Sequence, residues 1–81
     1  MILQLPKRPR IEVTDCAKRR IWQDRTGRFR LVHTHSLFGL SDQWLAMQYC
    51  EEYRCWDIVS KHHVRGPAQK ALQKLAKQVG D

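Results

Sequence analysis

The chain has 81 residues, and at that size folding buries only about 60 to 65% of the unfolded surface, which favours one compact domain without a deep substrate pocket. Apolar residues at 42% and charged residues at 28% exclude a disordered, collagen-like or low-complexity chain, and no apolar run approaches the roughly 20 residues that cross a bilayer. The formal charge of +7 is polarised: residues 1–30 hold nine Lys/Arg against three acids, 31–60 one against four, and 61–81 five against one, which favours a polyanionic partner, a solvated face that only confers solubility being the plainer account.

Met1 to Leu5 lacks the charged lead, apolar block and cleavage site of a secretory signal, and the odd cysteine count of Cys16, Cys50 and Cys55 suits reduced thiols; both point to the cytoplasm. Pro6 and Pro9 bracket Lys7 and Arg8, with Arg10 next, a pattern that excludes a helix. Residues 1–15 are therefore expected to form an extended basic arm, and 16–81 a single α+β domain. A terminus without a role is the plainer account of the same residues.

Asp24-Arg25-Thr26-Gly27 predicts a type I turn closed by a glycine bulge. A three-residue loop over 25–27 sets Asp24 opposite Arg28, Trp22 opposite Arg30 and Ile21 opposite Leu31, and opposed residues share a face. Ile21, Phe29 and Leu31 then turn inward, and Lys18, Arg20, Trp22, Arg28 and Arg30 outward. After a connection at Phe38–Asp42, Trp44–Tyr49 and Arg54–His62 read as strands three and four, rich in aromatic and β-branched residues. Helix is the competing reading for 43–54, because Ser41 or Asp42 would cap it and Leu, Ala, Met, Gln and Glu favour it.

Gly66 and Pro67 open, and Gly80 closes, a helix of about three turns. Ala68, Ala71, Leu72, Leu75, Ala76 and Val79 form one stripe, with Lys70, Lys74 and Lys77 opposite. The alanines allow close approach to a sheet whose bulk comes from Phe29, Leu31, Trp56 and Ile58. The expected fold is α+β: a small antiparallel β-β-β-β-α meander with one amphipathic C-terminal helix on one face.

Basic residues around an aromatic on an open sheet supply phosphate neutralisation and a stacking platform. Trp22 is expected to stack a base and Lys18, Arg20, Arg28 and Arg30 to hold phosphates, with Lys7, Arg8 and Arg10 of the arm adding contacts. The plainer account is a cross-strand cation–π pair between Trp22 and Arg30 that only stabilises the hairpin. Cys50, Cys55, His62 and His63 lack the tight knuckle of a zinc site, so no metal or other cofactor is expected. His33 and His35 alternate on one strand. No Cys/His pair among Cys16, Cys55, His33 and His63 is selected by spacing, and the acids are scattered, so no enzymatic activity is expected.

Arg20-Ile-Trp22-Gln-Asp24-Arg-Thr26-Gly27-Arg28-Phe29 resembles the opening hairpin of the Sla-one homology domain, with a looser echo through Phe38–Met47. That resemblance implies an SH3-like β-module that mediates protein interactions. The predicted element order is also similar to the β-β-β-β-α repeat of whirly and Pur-type single-stranded nucleic-acid binders, whose repeats pair, which implies a homodimer. The leading expectation is a non-enzymatic domain that binds single-stranded or structured RNA or DNA on its hairpin face. The alternative is an interaction module or accessory subunit that grips an acidic protein.

Overall fold

The computed structural model describes residues 3–15, 17–36 and 42–80, with the backbone alone at Ser36, Val79 and Gly80. Cys16 and most of the connection expected at 38–42 lie outside the described residues. Five strands, β1 (Arg10–Val13), β2 (Ala17–Gln23), β3 (Phe29–Ser36), β4 (Gln43–Cys50) and β5 (Cys55–His62), precede one helix, α1 (Arg65–Gly80). They form one antiparallel sheet in the order β1-β2-β3-β4-β5, so the α+β meander is the observed architecture. The sheet is open, with β1 and β5 at opposite edges, and not an SH3-like barrel.

The first strand is an addition to the expected four. Arg10–Val13, within the segment expected to be an arm, pairs with Lys18–Ile21. The residues before it are also held. Gln4 donates its N–H to the Asp24 carboxylate and accepts at its carbonyl from Arg25 N–H, while Leu3 and Leu5 pack against the core. Residues 43–50 are strand, because β4 lies between β3 and β5 and its ladder partners outweigh the helical preference of its side chains.

The hairpin joining β2 to β3 departs from the predicted register. Asp24 N–H donates to the Phe29 carbonyl, so the loop holds Arg25–Arg28, one residue more than expected. Asp24 also accepts from Thr26 N–H at 2.8 Å, and Arg28 N–H turns to the Thr26 hydroxyl at 3.3 Å instead of joining the ladder. Gly27 supplies the left-handed residue at φ 77°. Pairing slides by one: Trp22 faces Leu31, Gln23 faces Arg30, and Ile21 faces Val32. A one-residue slip exchanges the faces. Trp22, at 6% exposure, therefore belongs to the core with Phe29, Leu31, Ala46, Ala68, Leu72 and Ala76, beneath the helix.

A second irregularity acts on β5. Ala46 pairs with Ser60 but Met47 pairs with Ile58, so Val59 is an extra residue, a β-bulge. Beyond it the alternation reverses, and Trp56 and Ile58, expected against the helix, turn to the opposite face. Phe29 and Leu31 do lie under the helix, fully buried.

The helix runs more than four turns, one more than predicted. Pro67 sits in its first turn, where an amide donor has no helical partner to lose. Ala68, Leu72 and Ala76 are buried, Ala71 and Leu75 half-buried, and Lys70, Lys74 and Lys77 exposed. The helix packs on β3, β4 and β5 and reaches Trp22 at the end of β2, while Lys18 and Arg20 lie beyond it. Ala46 at the sheet centre admits Leu72, and burial of Leu72, Phe29 and Leu31 stabilises by about 1.5 to 3 kcal/mol each. No helix among the described residues is long and apolar enough to cross a membrane.

Candidate nucleic-acid interface

The residues expected to form one basic platform are divided between two sides of the sheet. Lys18 and Arg20 share the helix side with Trp22, beyond the helix, opposite His35 and His33. Trp22 stacks on Trp44 with ring centroids 5.6 Å apart, and the Arg65 guanidinium lies 5.0 Å from its centroid. Its indole is thus a core group covered by protein, and the expected base-stacking role for Trp22 is corrected: the longer loop rotated it inward. Arg28 sits in the loop beside Gln48, Tyr49 and Glu51, and Lys7 lines a groove between the arm and the helix. The remaining expected residues, Arg8, Arg10 and Arg30, belong with the face that the helix leaves open. Arg8 and Arg10 line a hollow there with Pro6, Ile21 and Gln23.

That open face carries its own aromatic and basic set. Strand alternation and the observed register place Arg10, Glu12, Arg19, Ile21, Gln23, Arg30, Val32, Leu45, Met47, Tyr49, Trp56, Ile58 and Lys61 on it. The Arg30 guanidinium stands 4.0 Å from the Trp56 ring centroid, a cation–π contact, and Tyr49 meets Trp56 at 5.3 Å with rings tilted by 59°. Gln23 Oε1 fixes the guanidinium from below, accepting from Nη2 at 3.0 Å and Nε at 3.2 Å. Partial burial first and Arg10 second hold the Arg30 pKa below its ordinary value, opposed by Glu12, yet an arginine remains charged at neutral pH. Arg10 forms an exposed ion pair with Glu12 at 3.1 Å.

Arg19, Lys61, Tyr49 and Trp56 were missed in the sequence. Trp56 was recognised as a strand aromatic, but only the bulge at Val59 turns it outward. Arg19 was hidden by the register, since it shares a face with Ile21. The centre of the open face is apolar, with Ile21 and Val32 buried, and on the edge strand β5 Ile58 is 48% exposed.

Among the described residues, no group of three or more His, Cys, Asp or Glu side chains is disposed to hold a metal ion. Cys50 and Cys55 are free thiols on facing positions of β4 and β5. No family model, curated protein or solved structure matches this chain.

Proposed function

We propose that this domain binds single-stranded nucleic acid, without catalysing a reaction, on the sheet face opposite the helix. The observation that carries the reading is the Arg30–Trp56–Tyr49 group. An indole and a phenol stand beside a guanidinium held in place by Gln23. Bases stack on such rings irrespective of sequence, each worth about 1 to 3 kcal/mol, and Arg10, Arg19, Arg30 and Lys61 offer cations to the phosphates. Met47 and Ile58 add apolar surface for sugars and base faces. Tyr49 and Trp56 replace Trp22 in the stacking role.

The test is oligonucleotide binding followed by fluorescence anisotropy across a salt series. Affinity should fall steeply as salt rises, because bound phosphates release counterions. Trp56→Ala should weaken binding about tenfold or more, from the loss of one stacked base. Salt-insensitive or absent binding removes the proposal. The exposed Ile58, at 48%, beside the basic residues of this face favours a second reading, an acidic protein partner on the same face. A partner recovered equally with and without nuclease treatment would favour that reading.

A further inference from the structure

On the other side of the sheet lies a second basic group, independent of the open face. Lys18, Arg20, His33 and His35 line a cavity of about 230 Å³. They are two directly opposed cross-strand pairs, Lys18 with His35 and Arg20 with His33. Positively charged partners set opposite each other on a strand pair destabilise it once the imidazoles carry protons, and a bound anion removes that cost. Ile11 and Val13 of β1 continue the floor on one side, and Trp44 of β4 closes the other.

The histidine at the inner end is firmly seated. The His33 ring lies nearly parallel to Trp44, 4.2 Å between centroids and 11° between planes, and its side chain is only 13% exposed. His33 Nε2 is buried and makes no hydrogen bond among the described residues. A buried polar nitrogen without a partner costs free energy unless a ligand supplies one. The chain brings one carboxylate near. Asp42 Oδ2 lies 3.3 Å from His33 Nε2, without hydrogen-bond alignment, and Oδ1 bonds His35 Nδ1. Asp42 stands at the rim, 44% exposed, and marks where an oxyanion meets both imidazoles. From the helix, Arg65 reaches toward the same Trp44, 6.0 Å from its ring.

We propose that Lys18, Arg20, His33 and His35 form a phosphate-binding site, with the Asp42 carboxylate as an internal competitor for its histidines. The ligand is a phosphate group, either free or as the terminal monoester of a nucleic acid. Lys18 and Arg20 offer it only N–H donors, each imidazole offers at least one, and the two fixed positive charges favour anions over metal cations.

The experiment follows the ring protons of all four histidines by NMR, at about pH 6. Inorganic phosphate is titrated against sodium chloride of equal ionic strength. Saturable shifts at His33 and His35, absent at His62 and His63 and absent with chloride, are expected. Lys18→Gln and Arg20→Gln should each weaken binding about tenfold, the loss of a charge-assisted hydrogen bond. Asp42→Asn should tighten it severalfold. Equal shifts with chloride, equal shifts at all four histidines, or no effect of Arg20→Gln in a variant with unchanged circular dichroism would overturn the site. Two oligonucleotides differing only in a 5′-phosphate distinguish the sources: a preference for the phosphorylated strand identifies the terminal monoester, and equal affinity identifies free phosphate. Trp56→Ala should leave the phosphate response intact, so this site and the open-face interface fail or survive separately.

Discussion

Trp22 and Trp56 exchange the roles that the sequence suggests for them, and paired alanine substitutions measure that exchange. Trp22 is 6% exposed, stacked on Trp44 and covered by Arg65. Truncating a buried tryptophan costs about 3 to 5 kcal/mol, against about 4 to 12 kcal/mol for the total stability of a domain this size. Trp22→Ala therefore removes about a quarter or more of the stability. Trp56 is half-buried on the open face, where its losses are the Arg30 contact, about 0.5 to 1 kcal/mol, and the Tyr49 pair, about 0.5 to 1.5 kcal/mol. Trp56→Ala should cost about 1 to 2.5 kcal/mol and leave the fold intact. Urea unfolding followed by the helical circular dichroism signal separates the two without using tryptophan fluorescence. At a slope of about 1 kcal/mol per molar urea, Trp22→Ala should move the midpoint down by about 3 to 5 M and Trp56→Ala by about 1 to 2.5 M. Equal shifts, or a larger one for Trp56→Ala, would refute the register and both faces built on it.

Asp24→Ala should cost about 1 to 3 kcal/mol by urea unfolding, because the buried carboxylate is the acceptor for Gln4 N–H and Thr26 N–H; limited proteolysis should then cut within residues 3–8 sooner. Arg54 holds φ 52° in the β4–β5 turn, a conformation that strains a side-chain-bearing residue, so Arg54→Gly should raise stability by about 0.5 to 1 kcal/mol; a loss would show that its side chain matters more than its backbone. The Asp42 pKa lies below its ordinary value of 3.8, chiefly through the His35 hydrogen bond. A depressed carboxyl pKa contributes stability that is present above the unfolded value and lost as pH falls through the lowered one. An NMR carboxyl titration should place Asp42 below 3.8, and His35→Ala should raise it back toward 3.8.

The elements were largely readable because each rests on local chemistry. Gly66, Pro67 and the Ala68–Leu72–Ala76 spacing mark the helix, and Asp24 with Gly27 marks the turn whatever its length. The first strand is hidden by the prolines before it: Pro6 and Pro9 forbid helix, but they say nothing against Arg10–Val13 pairing along the β2 edge. The faces were not readable, because they depend on counts of one. In the four-residue β2–β3 loop the Thr26 hydroxyl accepts the Arg28 N–H, a bond within the loop that no alternation pattern records.

The two one-residue irregularities also act together to give the domain its chemistry. The longer loop alone turns Trp22 under the helix and Arg30 outward, which would leave guanidinium groups on a face with no indole. The bulge at Val59 alone would send Trp56 and Ile58 to the open face without Arg30 beside them. Only with both does Arg30 on β3 reach Trp56 on β5 across Met47. The same loop length sets Arg20 against His33 and Lys18 against His35 on the helix side. Shortening the loop by deleting Arg28 therefore bears on both proposed sites at once. If β2 and β3 keep their present pairing across the shorter loop, strain should lower stability while both surfaces survive. If they re-pair by one residue, Trp22 should become quenchable by acrylamide, and phosphate and oligonucleotide binding should fall together.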